Sequence, residues 1–241
     1  MHIDTPYNEL AKFYDKLFSI WNKNYKEETE RLHKLIQHYK NSPDNTLLDI
    51  GCGTGEHLRF LKKYYKVTGI DQSEEMLEIA QKKLPNVQFY SQDMADFKLG
   101  HEFDIIISLF SAIGYVKTIS RLNRTIACIS VHLKPGGIVV VEPWFSPEEF
   151  KKHRNDVLFG QQDDFKACRM RESLIEGNEV KITEHIMIST DNHVTHFISK
   201  HEFGLFTEDD FMKAFEKNQL HAHYCEEGLT GRGLYIGVKS N

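Results

Sequence analysis

Residues 46 to 55, Thr46-Leu-Leu-Asp-Ile-Gly-Cys-Gly-Thr-Gly55, constrain this chain more than any other stretch. Thr46 to Ile50 is a short apolar run of strand formers, too short for a buried helix, and it reads as a buried parallel strand. Gly51, Gly53 and Gly55 follow at alternate positions, and a helix is predicted over residues 56–65. A strand that enters a glycine-rich turn and then a helix brings backbone N–H groups close to a ligand. The glycines remove Cβ atoms that would block that approach. In an open parallel sheet such a turn lies at the carboxyl edge, where ligands bind. Two ligand motifs do not fit. The dinucleotide fingerprint needs its third glycine at position 56, which is Glu56, and a phosphate loop ends in Gly-Lys-Ser/Thr, which does not occur here. A bare turn beside a surface Asp49 does not account for three alternating glycines.

The rest of the chain is consistent with one large α/β unit carrying an insertion. A length of 241 residues with 40% hydrophobic and 27% charged content is ordinary for a globular protein. The net charge of −5 and the absence of any basic run longer than a pair argue against a nucleic-acid surface. No apolar run approaches a membrane span, and residues 1–6 lack a charged-then-apolar leader pattern, so no membrane partner and a cytoplasmic location are expected. The four cysteines are scattered and read as small buried or half-buried residues. His221-Ala-His223 and His193-x-x-His196 have ligand-like spacing but no third clustered partner, so no metal is expected. Apolar spacing predicts two helices within residues 8–40, joined near Trp21 to Asn24. Strand and helix then alternate: strands end at Asp71, Tyr90 and Ile107, a helix starts at the N-cap Ser73, and another covers 118–132 before Leu133-Lys-Pro-Gly-Gly137, read as a turn. Residues 165–172, 179–190 and 194–205 read as long alternating strands with turns at Gly177-Asn178 and Asp191-Asn192. A helix from Glu208 to Lys217 and two strands, 221–225 and 233–238, end the chain.

The motif Asp49-x-Gly51-x-Gly53-x-Gly55, together with Asp71 placed 20 residues after Gly51 at the end of the second strand, resembles the class I S-adenosylmethionine-dependent methyltransferases. That resemblance implies a doubly wound, mostly parallel seven-stranded sheet with an inserted antiparallel sheet. Residues 1–143 and 207–241 would form the cofactor unit with an N-terminal helical cap, and 144–206 the substrate-side insert. It implies a cofactor site of Tyr14, Gly51, Gly53, Gly55, Asp71, Gln72, Asp93, Met94 and Leu109, with Asp71 on the ribose and Asp93 on the adenine amine. Tyr14 is open to a second reading as a core aromatic.

A narrower resemblance, nearly end to end, is to the bacterial N,N-dimethyltransferases of nucleotide-linked 3-amino deoxy sugars. Its densest stretches are Leu109-Phe-Ser-Ala-Ile-Gly114, Val141-Glu-Pro-Trp-Phe145, His201-Glu-Phe-Gly-Leu-Phe-Thr207 and Gly228-Leu-Thr-Gly-Arg-Gly-Leu234. It implies an amine acceptor held by Phe110, Tyr115, Glu142, Trp144, Arg169 and Arg232, and a possible homodimer. Candidate proton acceptors are Tyr14, Tyr115, Glu142 and His185, the last on a strand whose facing is open. Arg232 is suited to a phosphate oxygen or nucleoside carbonyl, or else lies on a solvent-facing turn. Two departures stand out: Ile175 replaces an arginine of the family's Ser-Arg-Glu-Gly turn, for which Arg169, Arg171 or Lys181 would compensate, and Tyr115 stands where some members have histidine. Readings from other classes are a protein or nucleic-acid methyltransferase, disfavoured by Ser108-Leu-Phe-Ser after strand four, and a non-catalytic binding module, disfavoured by intact cofactor motifs.

Overall fold

The computed structural model describes residues 10–151, 155–190 and 193–240. A 3₁₀ turn (Ala11–Phe13) leads into α1 (Tyr14–Ile20) and α2 (Tyr25–Tyr39). The Asn24 side chain accepts from the Glu27 N–H and starts α2. Then come β1 (Thr46–Ile50), α3 (Glu56–Leu61), β2 (Lys66–Asp71), α4 (Glu74–Lys83), β3 (Gln88–Ser91) and β4 (Phe103–Ser108). A second 3₁₀ turn (Ala112–Val116), α5 (Ile119–His132) and β5 (Leu133–Val141) complete the first half. After a short α6 (Pro147–Phe150) come β6 (Asp156–Gln162), β7 (Phe165–Glu176), β8 (Glu179–Thr190) and β9 (His193–Gly204). Then α7 (Glu208–Lys217), β10 (Leu220–Cys225) and β11 (Leu234–Lys239) close the chain.

The main sheet has the order β10-β11-β5-β4-β1-β2-β3. Its pairs are parallel except for those of β11, which is antiparallel to both neighbours. Central strands are buried on both faces, and alternate side chains enter two cores. Leu48 and Ile106 pack with Ile126 and Phe215 on one face, while Leu47 and Ile105 pack with Leu32, Ile36 and Leu58 on the other. Strand order reverses between β1 and β4, so their carboxyl ends open a crevice.

β6 to β9 form a separate antiparallel sheet. One face is apolar and inward: Phe165, Ala167, Ile186 and Ile188 pack on Leu10 and Leu17, while Val180, Ile182 and Phe203 pack on Phe150 and Leu205. The insert therefore leans on the N-terminal helices and on the end of the main sheet. Several elements differ from the sequence expectation. α3 stops at Leu61, and β7 runs on to Glu176. β6 was not expected: it is an edge strand whose apolar Val157 and Phe159 face outward. The Leu133–Gly137 segment lies within β5, where the pairing jumps from Phe103↔Leu133 to Ile105↔Ile138 and absorbs the turn as a bulge. The expected Asp191-Asn192 turn lies outside the described residues.

Candidate active site

The glycine turn forms one wall of the crevice. Gly51, Gly53 and Gly55 all have positive φ (74°, 53° and 75°). A Cβ on Gly51 would lie 2.5 Å from the Ala112 Cβ, whereas around Gly53 there is open space. The turn is thus pressed against the β4 connection on one side and bare toward the crevice on the other. Asp71 ends β2 and accepts from the Gly53 N–H (2.8 Å) and the Ser73 N–H (2.9 Å), which aims its carboxylate at the turn; Gln72 beside it is exposed. Asp93 accepts from the Ala95 N–H (2.9 Å), and one guanidinium nitrogen of Arg121 donates to both of its oxygens (2.9 and 2.8 Å). Met94 packs against the core, its Cε 3.7 Å from the position of a Gly51 Cβ, and Leu109 is buried at the end of β4.

Asp49 shows what this wall is built to receive. It is 2% exposed, and among the described residues its Oδ2 has no partner. Burial, and then the nearby Asp71, push its pKa up to about 8. An orphaned buried carboxyl beside a cradle of bare backbone suits a ligand that is positively charged, as S-adenosylmethionine is through its sulfonium and ammonium groups. Ionising Asp49 on binding releases a proton, so cofactor affinity is expected to rise with pH up to about 8 and to flatten above it. Calorimetry from pH 6 to 9 checks this. Asp49→Asn should lose that slope, and a slope unchanged in the variant would remove Asp49 from the cofactor site.

The N-terminal helices close the crevice. Thr54, inside the turn, donates to Asp15 (2.5 Å), and Lys83 bridges Asp15 and Glu56 (2.5 Å each). This latch places Tyr14, Phe18 and Trp21 over a cavity of about 310 Å³. Tyr14 packs on Phe18, which meets Phe110 edge-on. Phe110 and Ser111 lie in the left-handed region (φ 51° and 65°), strained backbone at the mouth of β4. Trp144 stacks on Phe203 at 4.9 Å. The inner face of the insert supplies the polar wall. Arg169, 5% exposed, makes two bonds to Asp156 (2.8 and 2.9 Å) and lies 3.2 Å from Glu184; Arg171 makes two to Glu184 (3.0 and 2.9 Å). Burial alone would raise the Glu184 pKa, but His201 and the two arginines hold it down to about 2. Tyr115 Oη lies 2.7 Å from His201 Nδ1.

Of the expected residues, Tyr14, Phe110, Tyr115, Trp144, Arg169 and Arg232 line this cavity together. Two expectations need correction. His185 lies on the outer face of the insert, stacked on His196, because even-numbered residues of β8 point inward. Glu142 does not line the cavity: it is fully buried and accepts from the Phe110 N–H (2.6 Å) and Thr230 (2.5 Å), with Arg232 at 3.4 Å. It braces the β4 connection to the last loop. Arg232 turns inward against Glu142 and the Phe110 ring and does not face solvent. Lys181 points outward to Glu176, so of the proposed replacements for the missing arginine only Arg169 and Arg171 share the inner face with Ile175. Sequence reasoning did not place Trp21, Asp156, Glu184, Ser199 or His201 in the site, nor the Asp15–Thr54–Lys83 latch.

A switch-point crevice walled by alternating glycines, with a carboxylate at the end of the second strand, defines an S-adenosylmethionine-dependent methyltransferase of class I. Comparison with known proteins agrees. Residues 47–137 match the methyltransferase domain model. The chain is 36% identical over 231 residues to the dTDP-3-amino-3,4,6-trideoxy-alpha-D-glucopyranose N,N-dimethyltransferase of Streptomyces venezuelae, covering 95% of this chain and 97% of that one. The crystal structure of Streptomyces venezuelae DesVI superposes with a TM-score of 0.91 at 35% identity, covering 96% and 99% of the two chains. The structure of S-adenosylmethionine-bound CalS10, an amino pentose methyltransferase from Micromonospora echinaspora, gives 0.86 at 29% identity, covering 94% and 96%. The chain belongs to the family of the amino-deoxysugar N,N-dimethyltransferases.

Proposed function

We propose that this enzyme methylates the amine of a nucleotide-linked amino deoxy sugar, transferring up to two methyl groups from S-adenosylmethionine. The observation that carries this reading is the set of unpartnered donors at the cavity. Among the described residues, Trp21 Nε1, Trp144 Nε1, Arg169 Nε and Arg232 Nε are buried without a hydrogen-bond partner, and all four residues line the cavity. Buried N–H groups are costly when unpaired, so such a wall favours a ligand rich in oxygen acceptors, as hydroxyls, phosphates and nucleoside carbonyls are. The cofactor supplies an electrophilic methyl. The chain's task is to exclude water, orient a neutral amine, and accept its proton, with Tyr14 and Tyr115 as the phenols that line the cavity. Orientation alone contributes on the order of 7–11 kcal/mol to such reactions. In this reading Gly51, Gly53, Gly55, Asp71, Gln72, Asp93, Met94 and Leu109 hold the cofactor, and residues 144–206 act as the acceptor-side unit. The test is mass spectrometry of reactions with a nucleotide-linked amino sugar and with the free sugar. The linked acceptor should turn over faster, and Arg232→Ala should narrow the gap. Equal turnover, or methyl on oxygen, would overturn the reading.

A homodimer belongs to the same proposal. The outer face of the insert carries two adjacent cross-strand rows, Phe159–Cys168–Met187–His196 and Val157–Met170–His185–Ile198. Their apolar members are 47–71% exposed where exposure is large (Val157, Phe159, Met170, Met187, Ile198). The flanking rows are Gln161–Lys166–Ser189–Val194, polar except for the exposed valine at its end, and the polar Glu172–Thr183–Lys200. A contiguous exposed apolar centre flanked by mostly polar residues has the anatomy of a protein–protein interface. A second copy presents the same face, and aligned sheets stack well. Sedimentation should show a dimer that Phe159→Glu splits; a wild-type monomer at micromolar concentration would refute it. All four cysteines are free, which supports a reducing, cytoplasmic setting.

A further inference from the structure

Tyr115 does not stand alone at the cavity. Its hydroxyl lies 2.7 Å from His201 Nδ1, across 86 residues of sequence. The other ring nitrogen, Nε2, lies 2.9 Å from Ser199 Oγ and 3.7 Å from Glu184 Oε2. Glu184 is held in turn by Arg171 and Arg169 from the neighbouring strand. The elements packed around the imidazole are the 3₁₀ turn with Tyr115, β8 with Glu184, β7 with the two arginines, and His201's own β9 with Ser199 and Phe203. Two arginines face two carboxylates, Asp156 and Glu184, so the net charge of that quartet is zero and one carboxylate oxygen is turned to His201.

Phenol, imidazole and carboxylate in this order form a chain along which a proton can leave the cavity. The chemistry needs such an exit. Each transfer to an amine would form an N–C bond as the donor's S–CH₃ bond breaks and a neutral thioether leaves, and the nitrogen would be positive and still carry a proton. A second transfer requires that proton to go first, inside a cavity closed by the cap. We infer that His201 is the sink for the acceptor's proton, acting through Tyr115 with Glu184 as its counter-ion. The N–H bond of the methylated ammonium breaks and the proton passes to Tyr115 Oη. The original Tyr115 proton passes to His201 Nδ1, the imidazole becomes imidazolium beside Glu184, and the proton goes to water when product leaves. Nε2 already carries hydrogen in this scheme and donates toward Ser199 or Glu184. His201 is a positioning and relay residue; Tyr115 is the group that touches the acceptor.

This deepens the proposed amine methylation and rests on it. The experiment follows unmethylated, monomethylated and dimethylated nucleotide-linked amino sugar by mass spectrometry between pH 6.5 and 9 for wild type, His201→Gln and Tyr115→Phe, with cofactor affinity measured alongside. In His201→Gln the second transfer should slow about 10²-fold near pH 7, so that monomethyl product accumulates. The deficit should shrink as pH rises, because hydroxide and the free base replace the relay, and cofactor affinity should stay at the wild-type value. Tyr115→Phe should give the same product pattern. A wild-type product ratio and pH profile in His201→Gln overturns the relay alone, as does a loss equal at every pH, which marks a structural role. A wild-type enzyme that forms no N-methyl product overturns the acceptor reading and the relay with it.

Discussion

Replacing Asp71 with alanine is expected to weaken S-adenosylmethionine binding by about 100-fold or more. The carboxylate accepts from the Gly53 and Ser73 N–H groups, which fixes it at the carboxyl end of β2 beside the glycine turn. Hydrogen bonds to a charged group contribute about 1.5–3 kcal/mol each. Losing two on the ligand side amounts to a few kcal/mol, and the Gly53 N–H loses its anchor as well. Burial raises the Asp71 pKa, so part of the intrinsic gain offsets the cost of keeping a charge there. Titration calorimetry is the measurement, with Asp71→Asn as companion. The amide keeps the shape and should fall between wild type and alanine. An unchanged dissociation constant in Asp71→Ala would show that the ribose end of the cofactor lies elsewhere.

Glu142→Ala is expected to destabilise the fold by about 3–5 kcal/mol, the range for removing one member of a buried ionic cluster. Glu142 has no exposed surface and receives the Phe110 N–H, the Thr230 hydroxyl and the Arg232 guanidinium. Without it, Arg232 is left as a largely buried cation, its side chain 16% exposed. The Phe110–Ser111 backbone also loses the acceptor that helps hold its left-handed conformation. At about 2–4 °C per kcal/mol for a chain of this size, the melting temperature should fall by roughly 10 °C. Glu142→Gln keeps an acceptor oxygen and should lose less. A melting temperature within 2 °C of wild type would mean that the brace is dispensable.

The cofactor half of the site was legible because backbone geometry dictates residue type there. Only glycine fits at φ 74° against Ala112, and an acid at the end of β2 accepts from the turn's own Gly53 N–H. The half proposed for the acceptor is built by pairing between distant strands, and the sequence names its residues without naming their facing. Tyr115 meets His201 across 86 residues, and Arg171 meets Glu184 only through the β7–β8 register. One signal was present and unread. Val180, Ile182, Ile186 and Ile188 set the inward parity of β8, and that parity turns Glu184 in and His185 out. β6 carried no such signal, since an edge strand with Val157 and Phe159 outward and Gly160 pressed on Ile20 breaks the alternation that marks a core strand. The sequence places Glu142 beside the acceptor because nothing local shows that three donors converge on it from the β4 connection and the last loop.

The alternation in the inserted sheet has a further consequence. In β7 and β9 the odd-numbered residues face inward, and in β6 and β8 the even-numbered ones do. Each strand therefore holds two interleaved alphabets that never touch. On the proposed reading, changes at inward positions such as 169 and 171, which line the cavity, would alter which acceptor fits, and changes at 168, 170, 172 and 174 would alter the outer surface. If the insert is the acceptor-side unit, one set of letters can be randomised for substrate range while the other is left untouched.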